Sequence, residues 1–276
     1  MTLDYLNVAP EDRQECRQLL EGPISPAAEK ARNYLIARLG SADESVPDLG
    51  TAELPVTERD WLEAMLRFVP SIIEWHTQQD ISEAVSRDSL ADFGRNMSIN
   101  RRVHGRFGMD TYKWLTHTFA GRLFQLGRLQ YLIHQTTDAI PGATDGEWIL
   151  GIHIPEDGGL NTTSVAESLA LAVPFFERHF PDRPVRFANC ASWLLDPYLA
   201  ANIDPWSNIA RFAALFTAYR EPHTEPTDAV YFTFRTRSME NLAELPRTTA
   251  LQRIVLERID TGGAWQLGFG YLELPR

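Results

Sequence analysis

The chain has 276 residues, 44% of them hydrophobic, enough for one large domain or two smaller ones with cores of their own. Its formal charge of -11 argues against nucleic acid or an anionic membrane as a partner, since both favour a net basic surface. The two cysteines, Cys16 and Cys190, lie far apart and provide neither a disulfide framework nor a zinc ligand set, so no metal site is expected. No basic segment followed by an apolar stretch opens the chain, and no run of 18 apolar residues occurs, so the expectation is a soluble cytoplasmic protein.

Residues 1 to about 120 read as a helical N-terminal region. Pro10 to Leu20 and Pro26 to Leu39 are short helical stretches, and residues 41–55, rich in Asp, Glu, Pro and Gly, form a solvated loop. Thr57 with Asp60 opens a longer helix carrying Trp61, Met65, Phe68 and Val69 on one face, which Pro70 is expected to kink or end. Further helices are expected from Ser82 to Phe93 and from Asp110 to Leu126. His104, Arg106 and the preceding Arg101-Arg102 make a local basic patch, read either as a contact for a partner or as a solvated helix end.

From residue 121 to residue 276 the period changes, and this half is expected to be a second domain. Arg128 to Gln135, Trp148 to Ile154 and Val185 to Cys190 read as strands. Val230, Phe232 and Phe234 alternate with polar residues as in a half-buried strand, and so do Trp265, Leu267, Phe269 and Tyr271. Helices fall near 164–179, 207–219 and 248–259. Ser164 with Glu167 and Thr249 with Gln252 read as capping boxes. The order describes an α/β sheet with helices on its faces, mixed in direction if its first pair is a hairpin, and α+β for the chain as a whole.

The stretch from Trp148 to Phe180 is the candidate site. A strand empties into a Gly-containing loop and then a helix, a junction that collects free backbone N–H groups and the positive end of a helix dipole. Gly158-Gly159 reads as a close backbone approach to a phosphate or as a turn needing glycine. His153, at the strand's end on the face of Ile149 and Gly151, reads as a general base or as a core histidine. Cys190 is a small buried hydrophobe or, in a third reading, an acyl-accepting thiol with His153 as its base. Of 26 basic residues only Lys30 and Lys113 are lysine, so individual arginines carry little information, although Arg122, Arg128 and Arg211 are candidates for a phosphate or carboxylate. The signatures of nucleotide hydrolysis, dinucleotide binding, zinc proteolysis and the serine nucleophile elbow are missing from the sequence.

An ordered set of motifs resembles a known family. They are Phe124-Gln125-Leu126-Gly127-Arg128-Leu129-Gln130, His153-Ile154-Pro155, Ser168 with Phe175-Phe176, Phe180-Pro181, Cys190-Ala191-Ser192-Trp193-Leu194-Leu195-Asp196-Pro197, Ser207-Asn208-Ile209, and Leu245-Pro246 leading to Leu251-Gln252-Arg253. Over roughly residues 120 to 272 the chain resembles the GNAT-like C-terminal domain of two-domain bacterial acyltransferase-type proteins. Its helical half is similar in general character to the N-acyltransferase N-terminal domain.

The resemblance implies a helical region packed on a GNAT-like mixed sheet, with acetyl-CoA or a longer acyl-CoA as co-substrate. The pantetheine arm would lie along the strand ending at Ile152 and Ile154, with the strand of Asn189 across a splay. The pyrophosphate would sit over Gly158, Gly159, Leu160, Asn161, Thr162, Thr163 and Ser164. By the same resemblance Tyr198 protonates the leaving thiolate, although a tyrosine there also reads as cover for an apolar edge, and Asp196 before Pro197 reads as a helix start. His153 or a water takes the acceptor's proton. The implied reaction is direct attack of an amine or hydroxyl, on a small molecule or peptide, upon the thioester, with the helical region as acceptor wall. The chain departs from the family's loop pattern: Glu156 and Asp157 stand where a basic residue is usual. A rival reading is therefore a non-catalytic binding or scaffold protein that kept the fold and lost coenzyme A.

Overall fold

The computed structural model describes residues 2–42, 45–137 and 139–275. Residues 43 and 44, within the expected 41–55 loop, lie outside the described residues. The chain divides into two compact units. The first runs to Leu126 and takes in Gln130–His134; the second takes Gly127–Leu129 and the chain from Gln135 on.

The first unit is built of helices α1 (Thr2–Tyr5), α2 (Arg13–Leu20), α3 (Pro26–Arg38), α4 (Glu58–Gln78), α5 (Glu83–Leu90), α6 (Asp92–His104) and α7 (Tyr112–Phe119), followed by β1 (Leu123–Leu126) and most of β2 (Leu129–Gln135). Helix α4 is its axis. A reciprocal cap opens it: Thr57 N–H donates to Asp60 Oδ2 at 2.8 Å, and Asp60 N–H to Thr57 Oγ1 at 3.4 Å. Trp61, Leu62, Met65, Phe68, Val69 and Ile72 are buried in the unit's core. Pro70 does not end the helix, which continues to Gln78. Its ring sits on the exposed side. A proline inside a helix costs about 3 kcal/mol, while each large apolar side chain buried around it returns about 2 kcal/mol, so the stripe outweighs the break.

One expectation in this unit needs correction, and one open reading is decided. Helix α7 stops at Phe119 rather than running to Leu126. Gly121, at φ +68°, turns the chain against Trp75, whose ring would lie 2.3 Å from any Cβ at that position. Residues 123–126 then extend as β1. Three members of the basic patch, in turn, have acidic partners within the unit. Arg101 donates through Nε to Asp12 at 2.7 Å, Arg106 pairs with Glu58 at 2.9 Å, and His104 lies 3.0 Å from Asp110. The patch is a helix end, closed by Gly105 in the left-handed conformation.

The second unit contains β3 (Trp148–His153), α8 (Thr162–His179), β4 (Phe187–Ser192), α9 (Pro197–Asn202), α10 (Asn208–Ala213), β5 (Thr217–Thr224), α11 (Pro226–Phe234), α12 (Ala250–Asp260) and β6 (Gln266–Glu273). The strand order of the mixed sheet is β1-β2-β3-β4-β6-β5. β4 and β6 are antiparallel and in register from Phe187↔Glu273 to Ser192↔Gly268. β5 and β6 are antiparallel with irregularities on either side of Arg220. Strands β3 and β6 and the capped α12 follow the sequence reading.

The middle of this unit does not. The stretch expected as a strand at 230–235 belongs to α11. Pro226 opens that helix, and the Glu225 side chain accepts from Thr227 N–H at 3.1 Å. The consecutive Ala229, Val230 and Tyr231 are its buried residues, while Phe232 is 47% exposed, a pattern that two-residue alternation cannot produce. The helix expected over 207–219 is split: α10 ends at Ala213, and Thr217 onward pairs with β6.

Two histidines in the first unit, His76 buried and His117 half-buried, couple its stability to pH. His76 Nδ1 lies 2.7 Å from Ser86 Oγ, and burial pushes its pKa down from 6.5 to about 4. Burial, joined by the charge of Arg122 at 2.9 Å, pushes His117 down from 6.5 to about 4. The unfolded chain therefore binds more protons between those values, so stability is complete above about 6.5 and is lost as pH falls towards about 4. The thermal midpoint should drop across that window, and His76→Gln should remove part of the drop. A flat profile in wild type would contradict this account.

Candidate active site

Strands β3 and β4 run parallel, and the registered pairs between them are Leu150↔Ala188 and Gly151↔Asn189. Beyond these pairs β3 continues to His153 and β4 to Ser192. β4 remains in register with β6 over that length, as far as Ser192↔Gly268. Because side chains alternate, His153 shares a face with Gly151, and Ala191 shares that face with Asn189. Ala191 is exposed although its strand is interior to the sheet, and His153, Ile154 and Asn189 are half-buried. Ile152, on the opposite face, is buried.

The loop from Pro155 to Asn161 leads into α8. Its cap is not the expected Ser164–Glu167 box. Asn161 is the N-cap residue, its Oδ1 accepting from Ser164 N–H at 2.9 Å, and Ser164 Oγ donates back to the Asn161 carbonyl at 3.2 Å. Asparagine caps as well as serine does, so the helix starts at Thr162 and draws Thr162, Thr163 and Ser164 into its first turn. Asn161, Thr162 and Thr163 are exposed at this positive end of an 18-residue helix.

Gly158 has φ +75°, and Gly158 and Gly159 are both exposed. The loop's lack of a basic side chain is made good from elsewhere in the unit. Arg128, in the turn before β2, donates through Nε to the Gly159 carbonyl at 2.9 Å and through Nη2 to the Pro155 and Gly158 carbonyls, both at 3.0 Å. Arg235, the residue that closes α11, pairs with Glu156 at 3.0 Å. Arg128 thus binds main chain, and Arg122 donates to the Ala42 carbonyl at 3.2 Å and contacts His117 in the first unit.

Between α8 and α10 lies a shallow groove, open to solvent. Leu160, Thr162, Val165, Ala166 and Leu169 form one wall, and Arg211, Phe212 and Leu215 the other. Leu160 and Thr162 belong to the expected set, and Arg211 is one of the candidate arginines; Val165, Ala166, Leu169, Phe212 and Leu215 were not expected here. Val165 and Leu169 read as core on an amphipathic helix, and the break after α10 that brings Leu215 to the groove is hidden when 207–219 is taken as one helix. Trp206, 75% exposed, lies beside the groove's rim with the Arg211 guanidinium 5.6 Å from its ring centre.

Tyr198 is held in a different cluster. Its ring packs edge-on to Trp265 at 5.8 Å, and the Arg258 guanidinium covers it at 4.2 Å, within the core formed by Trp193, Leu199, Val230 and Val255. Asp196, fully buried, accepts from Tyr198 N–H at 2.7 Å and from Gln266 N–H at 2.8 Å, so it is the helix start the sequence suggests. Cys190 is buried as well, and burial pushes its thiol up to about 12. A thiol in that state is protonated at neutral pH and is a poor acyl acceptor, which overturns the acyl-enzyme reading.

Residues 123–272 match the GNAT-like C-terminal domain, and residues 1–121 match the N-acyltransferase N-terminal domain. The chain belongs to the GNAT-like acyltransferase family with this two-domain architecture. Similar solved structures include an acyltransferase in complex with decanoyl-CoA, 32% identical, with a TM-score of 0.87 over 99% of this chain and 86% of that one. Another is an acyltransferase with decanoyl-CoA and teicoplanin, 29% identical, with a TM-score of 0.85 and the same coverage, 99% and 86%. A third is an acyltransferase mutant with octanoyl-CoA, 29% identical, with a TM-score of 0.86, again covering 99% and 86%. No curated protein matches the chain. Among the described residues no helix is long and apolar enough to cross a membrane, and no group of His, Cys, Asp and Glu is arranged to hold a metal.

The state of Cys190 is directly testable. At neutral pH iodoacetamide should alkylate it far more slowly than a free thiol in solution, and Cys190→Ala should keep its acyl-transfer activity. Rapid stoichiometric labelling of the native protein would reverse the assignment.

Proposed function

We propose that this protein transfers an acyl group from acyl-CoA to an amine or hydroxyl of a small molecule or peptide, by direct attack on the thioester. The observation that carries this reading is the end of β3–β4 pairing at Gly151↔Asn189, beside a loop that leads into the start of a long helix. Main-chain groups at Ile152, Ile154 and Asn189 take the pantetheine arm. The first turn of α8, with Gly158, Gly159 and Leu160, takes the pyrophosphate. The groove between α8 and α10 is continuous with that loop through Leu160 and Thr162 and receives the adjoining part of the cofactor, with Arg211 at its rim for a phosphate.

Relatives that bind octanoyl- and decanoyl-CoA support a medium-chain acyl donor over acetyl. A relative's complex with teicoplanin makes that compound the first acceptor to assay. The second unit carries the chemistry. His153, half-buried at the open end of β3, takes the proton from the attacking amine. Tyr198 supports the α9–α12 core instead of returning the proton, because its ring is enclosed between Trp265 and Arg258. A cytoplasmic location fits an acyl-CoA donor.

Isothermal titration with acetyl-, octanoyl- and decanoyl-CoA should give heat with all three and tighter binding with the longer chains. Heat with none of them would favour the non-catalytic reading. In steady-state assays following CoA thiol release, His153→Gln should lower kcat on the order of 100-fold with little change in KM for acyl-CoA. Tyr198→Phe should leave kcat within about twofold, since a phenyl ring keeps the same packing. A large loss in Tyr198→Phe at unchanged thermal stability would return the acid role to Tyr198.

A further inference from the structure

We infer that Arg128 is the positioning residue for the cofactor's phosphates, an inference that rests on the reading of the 155–163 loop given above. Arg128 comes from a turn 27 to 31 residues upstream and binds three carbonyls of the loop, those of Pro155, Gly158 and Gly159. A trans peptide is planar, with its C=O and the following N–H pointing in opposite directions. Each carbonyl drawn towards Arg128 therefore turns an amide the other way. The amides so turned are those of Glu156, Gly159 and Leu160. The last belongs to a residue that lines the groove between α8 and α10. Three donors facing away from one guanidinium, next to the first turn of α8, make a concave cradle suited to a pyrophosphate.

Arg128 is itself held in place. The adjoining Leu129 N–H donates to Ser168 Oγ at 3.0 Å, and Ser168 is fully buried in α8. The turn that carries the guanidinium is thus tied to the helix whose N-terminus forms the rest of the cradle. The positive charge of Arg128 also lies behind the loop, where it attracts an anion seated in front. Glu156, the acidic residue most opposed to such an anion, is paired with Arg235 at 3.0 Å. In this chain the basic group usual in the loop acts through the backbone, from outside the loop.

The test compares decanoyl-CoA with decanoyl-pantetheine, which shares the thioester arm and lacks the phosphates, on wild type, Arg128→Met and Arg128→Lys. Wild type should bind decanoyl-CoA more tightly. Arg128→Met should lose affinity for decanoyl-CoA on the order of tenfold and hold decanoyl-pantetheine unchanged, because only the phosphate donors lose their orientation. KM for decanoyl-CoA should rise while kcat at saturation is retained, and Arg128→Lys, with its charge but without the fork, should recover part of the loss. Equal losses for both ligands, as from general loosening, would overturn the inference, as would no loss for either. A wild type that binds the two ligands equally would instead refute the loop as a phosphate site and take the inference with it. Should Arg128→Met fail to fold, Arg128→Lys alone decides between the same outcomes.

Discussion

The site depends on a parallel pairing that is short on purpose of geometry: β3 and β4 share the registered pairs Leu150↔Ala188 and Gly151↔Asn189 and then go on separately. A strand that leaves its neighbour exposes main-chain donors and acceptors, which ordinarily favours fraying. Here β4 does not fray, because β6 holds it in register to Ser192↔Gly268. Asp196 then locks the end, accepting from the first amide of β6 and from the Tyr198 amide with one buried carboxylate. Losing those acceptors would leave two donors unsatisfied at about 1–3 kcal/mol each. The exposed Ala191, in an interior strand, shows that this face of the sheet is uncovered at the end of β4.

Electrostatics explain how an acidic loop can lie at a site for anions. Glu156 and Arg235 are both partly buried, at 19% and 24% exposure, and a pair of that kind contributes at most about 1 kcal/mol to stability. Its effect is local: the carboxylate is neutralised where it would repel a phosphate. Arg235 holds a left-handed conformation at φ +56°, uncommon for a side-chain-bearing residue, and Glu156 together with the Tyr231 and Phe232 rings fixes its guanidinium. The charge pattern of the loop sequence alone thus has the opposite sense from the charge pattern around the folded loop.

What the sequence makes legible is whatever depends on near neighbours. The apolar run of β3, the reciprocal caps at Thr57 and Thr249, and the stripe of α4 are each set within a few residues, and each appears in the structure. The errors arise where distant packing decides. Val230, Phe232 and Phe234 alternate as in a strand, but Pro226 and the fit of Ala229 and Val230 into the core of Trp193 and Trp265 impose a helix. The 217–224 stretch is a strand because β6 supplies its partner, and Gly121 ends the α7 helix because Trp75 fills the space beside it. Half of the site was readable as strand, loop and helix. Arg128 was readable only as one of three candidate arginines, since nothing local distinguishes it, and its role exists only through carbonyls some thirty residues away.

The chemistry available at this end of β3 and β4 constrains the order of events. With the Cys190 thiol pushed up to about 12 by burial, there is no nucleophile of low pKa in β4 to hold an acyl group between two half-reactions. Under the proposed function both substrates must then be present together, and the acceptor must approach the thioester from a side the cofactor leaves free. The face shared by His153, Asn189 and the exposed Ala191 meets that condition, because small and half-buried residues there leave room beside the strand that carries the arm. A base at His153 on that face stands at the end of β3, where the paired main chain has already given way. Proton removal and attack can therefore occur at one place, without a covalent stage on the enzyme.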